Sequence, residues 1–123
     1  MTASSIDPPI SDLVRIQVTG SAPSVRVIAD GEIDSTSAPV LRERLETLLD
    51  DGVSDLVVDL TGVSFLDSAG LCVLAATYRR MSAANQRLRV LAQSRAVIRP
   101  LQITGLYELL QVETVDAGAV GAA

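Results

Sequence analysis

Asp55-Leu56-Val57-Val58-Asp59-Leu60, followed after a short polar interval by Phe65-Leu66-Asp67-Ser68-Ala69-Gly70, decides the fold of this chain. The first run is too short for a helix and too apolar for a loop, so it reads as a buried strand over 55–60. Downstream, Leu71, Leu74, Ala75 and Tyr78 repeat at helical spacing. Ser68 therefore falls after an apolar strand and a turn, in the first turn of a helix, where unpaired backbone N–H groups favour negative charge. The chemistry that such a position suits is a phosphate on the serine hydroxyl.

Outward from this junction, the same alternation continues in both directions. Ser37 is a good N-cap for a helix whose apolar stripe is Leu41, Leu45, Leu48 and Leu49, with Pro39 tolerated in the first turn and Gly52 at the end. A helix that joins two strands implies a crossover and parallel pairing. Before it, Leu13, Ile16 and Val18, then Val25, Val27 and Ile28, form two strand-like runs. Gly20-Ser21-Ala22-Pro23-Ser24 joins them as an antiparallel hairpin, so the sheet is mixed. After the central unit, a helix over 68–84 leads through Asn85-Gln86 to a strand over 88–92. A third helix follows over 94–104, with Gly105 placed as its C-cap. Leu109, Leu110 and Val112 supply a last edge strand. The expected division is a flexible arm over 1–12, one domain over 13–113 and a flexible tail over 114–123.

Composition narrows the chemistry. The 123 residues are 48% hydrophobic and 20% charged, which suits one domain with a normal core. Only 2% are aromatic and Trp is absent, so that core is aliphatic, as in packed α/β layers. The absence of His removes histidine triads, H-E-x-x-H zinc sites and histidine phosphorelay. The single cysteine, Cys72, cannot form an internal disulfide, and its apolar neighbours predict a buried thiol. A net charge of -5 argues against nucleic acid as a partner. Neither G-x-x-x-x-G-K-[ST] nor G-x-G-x-x-G occurs, and no apolar run approaches the ~20 residues that span a bilayer. The expectation is a cytoplasmic protein with no cofactor, no metal and no membrane or nucleic-acid contact.

Three stretches carry a resemblance to a known family: Gly31-Glu32-Ile33-Asp34 after the second strand, Leu56-Val57-Val58-Asp59-Leu60, and above all Val63-Ser64-Phe65-Leu66-Asp67-Ser68-Ala69-Gly70-Leu71. With these the chain resembles STAS domains, specifically bacterial anti-anti-sigma factors (anti-sigma factor antagonists), over nearly its whole length. The resemblance implies an α/β STAS fold, a single four- or five-stranded mixed sheet covered by helices. It also implies that Ser68 is phosphorylated by a partner that is both anti-sigma factor and serine kinase, and that a phosphatase reverses this. The unphosphorylated chain would bind the anti-sigma factor and so free a sigma factor that it touches only indirectly. Asp34, Asp67, Ser68, Ala69 and Gly70 are the partner-binding residues that the match places. One departure is the ending: the Gly-containing segment 113–123, with few helix-directing apolar residues, predicts that the family's longer terminal helix is short or missing here.

Blander readings stand beside these. Ser68 has the chemistry of an ordinary helix cap, worth about 1 kcal/mol. Asp34 alone would be a turn residue. Ser37 reads as a cap rather than a phosphoacceptor. Thr61 and Ser64, in the loop before the motif, are secondary acceptors. A STAS subunit of a lipid-transport or sensor complex is the alternative with the same fold, distinguished by copurification with membrane ATPase components rather than a soluble kinase. A small carboxylate-dependent enzyme using Asp34 and Asp67 is a further alternative, and would turn over without a protein partner.

Overall fold

The computed structural model describes residues 12–115. In chain order these form β1 (Val14–Ser21), β2 (Ser24–Ile33), α1 (Ala38–Asp50), β3 (Asp55–Leu66), α2 (Ser68–Ala83), β4 (Arg87–Ala92), α3 (Arg95–Ile103), α4 (Leu106–Leu109) and β5 (Glu113–Thr114). The sheet has five strands in the order β1-β2-β3-β4-β5. β1 is antiparallel to β2, and the remaining pairs are parallel. This is the mixed α/β sheet that the crossover argument predicts. The expected arm over 1–12 lies almost entirely outside the described residues, as does the tail beyond Val115.

The helices cover one face of the sheet. Val25, Val27 and Ala29 of β2 and Leu56, Val58 and Leu60 of β3 share one core with Leu41 and Leu45 of α1, Leu74 and Met81 of α2, and Val97 and Leu101 of α3. Their neighbours in the strands, Arg26, Val57, Arg87 and Arg89 among them, point the other way and stay wholly or partly exposed. This alternation is what a sheet with one solvated face requires. Strand order that follows chain order, with right-handed crossovers, puts successive helices on the same side.

Several boundaries differ from expectation, each for a local reason. β3 runs on to Leu66 instead of ending at Leu60. Its second half pairs with β2 (Asp30 with Gly62, Gly31 with Val63, Glu32 with Phe65, Ile33 with Leu66) across two register shifts. Bulges absorb the polar interruption at Thr61-Gly62 that ends the apolar run in the sequence. Thr61 and Ser64 consequently sit in a strand, not a loop, and Gly31-Glu32-Ile33 belongs to β2 rather than following it. The hairpin connection shrinks to Ala22-Pro23, because Ser21 and Ser24 already pair.

At the C-terminal side, Leu109 closes α4 while Leu110 and Val112 are buried core residues, not an edge strand. Gly105, at φ +80, follows the C-cap Thr104 and is the N-cap of α4, of which Leu106 and Tyr107 pack partly buried against the core. The edge strand is instead the pair Glu113–Thr114, and the Val115 N–H donates to the Ala92 carbonyl at 2.7 Å. Order therefore extends past residue 113. In α2 the buried residues are Gly70, Val73, Leu74, Thr77 and Met81, a stripe rotated from the one read in the sequence. Cys72 thereby falls on the outer side, exposed rather than buried. The first two turns of the helix, from Ala69 to Ala76, are apolar all round, so periodicity there does not fix the inward direction.

On the uncovered face, Asp59 ties β2 to β3 and is only 9% exposed. Its Oδ1 accepts from the Thr61 hydroxyl at 2.6 Å and the Thr61 N–H at 2.9 Å, and its Oδ2 from Arg26 at 3.2 Å. Burial pushes this carboxyl up, but the Thr61 and Arg26 hydrogen bonds together outweigh it and hold it below its ordinary 3.8. A depressed carboxyl contributes stability that is present above the unfolded value and is lost as pH falls through the folded one. Asp59→Asn is expected to cost about 1 kcal/mol at neutral pH and to shrink the loss of melting temperature between about pH 5 and pH 3. Thermal melts of both proteins across that range check it, and parallel curves would remove Asp59 from the acid response.

Candidate functional site

Because β2 and β3 are parallel neighbours, they release the chain at the same edge of the molecule. Ile33 pairs with Leu66, and the Asp67 N–H donates to the Ile33 carbonyl at 3.1 Å. The next residue after β2 is Asp34, and those after β3's end are Asp67 and Ser68. Residues far apart in sequence thus meet at the carboxyl ends of parallel strands, where open α/β sheets place their binding sites.

Asp67, not Ser68, caps α2. It has extended backbone (φ -107, ψ -169), and its Oδ1 accepts the Ala69 N–H at 2.9 Å. Ser68 is the first helical residue, exposed, and its hydroxyl has no hydrogen-bond partner among the described residues. The capping role that would have explained a serine here is filled by its neighbour. Around the hydroxyl are the positive end of the helix dipole and the N–H groups of the first turn. A phosphate added there meets favourable backbone charge without displacing any existing bond.

Ala69 is half-buried against the core, and Gly70 is buried behind Ser68. A Cβ on Gly70 would run into Leu66 Cδ1 and lie 2.8 Å from Ile33 Cγ2. The glycine lets the first turn of α2 sit down on the last residues of β2 and β3, which fixes where Ser68 emerges. Its contribution to the site is this seating, since it offers no side chain to a partner.

Asp34 heads a compact turn. Its Oδ1 accepts from the Thr36 hydroxyl at 2.7 Å, the Thr36 N–H at 2.8 Å and the Ser37 N–H at 3.0 Å. The Thr36 hydroxyl foremost, then the two backbone N–H groups, hold the Asp34 carboxyl below its ordinary value, so it is ionised at neutral pH. Its Oδ2 has no partner among the described residues. Ser37 occupies the N-cap position of α1 but does not cap with its side chain. Its buried hydroxyl instead donates to the Glu32 carbonyl at 2.7 Å and accepts the Asp34 N–H at 2.8 Å. Asp34 builds the turn, and the turn presents a fixed negative charge at the strand end neighbouring the one that leads into Ser68.

The structure therefore gathers Asp34, Asp67 and Ser68 at one rim, with Ala69 and Gly70 beneath. Sequence reasoning missed the Thr36–Ser37 lock, although Asp followed by Ser and Thr is a turn signature that could have shown it. It also missed Phe65, 45% exposed in β3 just before the site, because an aromatic in an apolar run reads as core. Ser64 is exposed, with its hydroxyl 3.4 Å from the Gly31 carbonyl, and the Thr61 hydroxyl is engaged by Asp59. Among the described residues no group of three or more His, Cys, Asp or Glu is placed to hold a metal ion, and no helix is long and apolar enough to cross a membrane.

Comparison with known proteins gives a consistent picture. Residues 14–118 match the STAS domain family. The chain is 35% identical over 107 residues to an anti-sigma-B factor antagonist of Bacillus subtilis, covering 87% of this chain and 97% of that one. Among solved structures, an anti-sigma factor antagonist from Mycobacterium paratuberculosis superposes with a TM-score of 0.77 at 32% identity, covering 89% of this chain and 92% of the other. The anti-sigma factor antagonist SpoIIAA in its unphosphorylated form follows with a TM-score of 0.72 over 86% of this chain and 92% of the other, and at 20% identity that likeness is one of fold.

Proposed function

The chain belongs to the STAS domain family, and on that premise we propose that it is an anti-sigma factor antagonist, switched off by phosphorylation of Ser68. In this reading it is a regulatory binding protein of the cytoplasm rather than an enzyme. Its direct partners are an anti-sigma factor that is also a serine kinase and a phosphatase that resets the serine. A sigma factor is freed indirectly, when the unphosphorylated chain occupies the anti-sigma factor. The names borne by relatives at 35% and 32% identity support the antagonist role. The observation that carries the switch is the division of labour at the start of α2: Asp67 caps the helix, and Ser68 is left exposed with an unengaged hydroxyl.

The local physics favours a switch that acts on the surface and not on the fold. A phosphoserine in the first turn adds about -1.5 to -2 charges where the helix dipole accepts them. The same charge, set beside ionised Asp34 and the Asp67 carboxylate, opposes a partner surface shaped for a bare hydroxyl. The test is incubation of the purified chain with each anti-sigma factor kinase of the source genome and Mg-ATP, followed by intact-mass measurement and phosphopeptide mapping. The expected result is one phosphate, on Ser68. Phosphate chiefly on Thr61 or Ser64 with Ser68 bare, or no kinase that modifies the chain, would overturn the reading.

A further inference from the structure

Between α1 and α2 runs a groove of about 360 Å³ that opens at Ser35 and Ala69, immediately beside Asp34 and Ser68. Its floor is made of small apolar side chains, and its walls carry Arg42 from α1 and Arg79 from α2, both exposed. We propose that this groove receives an acidic, partly apolar segment of the anti-sigma factor, whose carboxylates pair with Arg42 and Arg79. The inference rests on the functional reading above and deepens it by stating the chemistry of the partner's contact.

Charge carries the argument. The chain has a net charge of -5, yet no carboxylate lines this groove. Neither Arg42 nor Arg79 has an ion pair among the described residues, whereas the neighbouring Arg80 is tied to Asp50 at 2.7 Å. A second groove of about 330 Å³, on the uncovered sheet face, also holds arginines. There Arg26 is bound to Asp59 and Arg89 to Glu113, and the third arginine, Arg87, stands opposite Asp55 in the β3–β4 register, so three carboxylates accompany the three arginines. The α1–α2 groove keeps its two cations available, above a floor that can accept apolar side chains, and is continuous with the rim that holds Ser68. An acidic occupant also accounts for release: phosphate at the mouth of the groove repels carboxylates approaching along it.

The experiment compares two double charge reversals that change net charge equally. Arg42→Glu with Arg79→Glu alters the groove, and Arg15→Glu with Arg87→Glu alters the uncovered sheet face. Each is titrated calorimetrically with the purified kinase that phosphorylates Ser68, at low and high salt, and Cys72 serves as a reporter. It is the chain's single cysteine and lines the groove, so a bound partner should slow its reaction with a maleimide. The groove variant is expected to bind about tenfold or more weakly with a flatter salt dependence, while the control binds as wild type. Maleimide labelling of wild-type Cys72 is expected to slow about tenfold in the complex, since docking buries it. Wild-type affinity in the groove variant, equal losses in both variants, or unprotected Cys72 in a complex that Asp67→Ala still disrupts would overturn the groove assignment alone. A wild-type chain that binds no anti-sigma factor kinase would overturn the functional reading and the groove with it.

Discussion

Ser68→Asp is expected to fold like the wild type and to bind the anti-sigma factor about 100-fold more weakly, a change of about 2.7 kcal/mol, while Ser68→Ala binds with nearly full affinity and accepts no phosphate. The first half follows from the position of Ser68 as the first residue of α2. A carboxylate in the first turn of a helix is stabilised by the dipole, typically by about 0.3–1 kcal/mol, and no existing hydrogen bond of the serine is lost. The second half follows from crowding of like charge. Asp67 on one side and Asp34 on the neighbouring strand end already present carboxylates, and a third adds repulsion toward any partner surface that tolerates two. Like-charge juxtaposition in an interface costs several kcal/mol, which leaves the 100-fold figure within reach of a single substitution. Circular dichroism melts beside calorimetric titration separate the two halves. A melt lowered by about 10 °C would assign the lost binding to the fold, and unchanged affinity would remove charge from the switching mechanism.

The alternation of elements was legible because each rests on a pattern with one favoured physical solution. The Leu41, Leu45, Leu49 stripe has the spacing of an amphipathic helix, and a helix of that length leading to the apolar Leu56–Leu60 run favours a crossover between parallel strands, which is the pairing found. What was not legible depended on partners distant in sequence. Thr61 through Ser64 read as a loop because polar and glycine residues interrupt the apolar run. Pairing with the end of β2 overrides that local preference, and a register shift lets it do so. At the helix start, Asp67 and Ser68 are both good caps, so residue preference cannot choose between them. The choice is made by where β3 ends, which sets Asp67 in extended backbone and puts Ser68 inside the helix. The rotation of α2, which exposes Cys72, is likewise set by what lies beneath it: Gly70 seats on Leu66 and Ile33, and this fixes the direction of every residue that follows.

Gly31→Val is expected to lower stability by about 3 kcal/mol, a drop on the order of 10 °C in melting temperature. Gly31 has φ +111, in the region that L side chains rarely adopt, and it pairs with Val14 of β1 at one of the register shifts of β2. A Cβ there would collide with the Leu13 carbonyl oxygen, backbone that accepts the Glu32 N–H at 2.8 Å and cannot swing aside as a side chain would. Strain of the unusual φ, about 1–3 kcal/mol, adds to the overpacking, which costs a similar amount. The substitution also reaches the site. Relief of the collision requires β1 and β2 to separate or the bulge at Gly31 and Glu32 to change register, and either moves Ile33, which pairs with Leu66, and Asp34, which heads the turn beside Ser68. Folded Gly31→Val at low temperature should therefore be phosphorylated more slowly at Ser68 than the wild type, although the mutated residue lies outside the acceptor motif. Melting curves and initial phosphorylation rates measured on the same preparations test both effects. A wild-type melting temperature would show that the backbone at this bulge is free to relax, and a wild-type rate in a destabilised protein would show that the end of β2 does not position the acceptor.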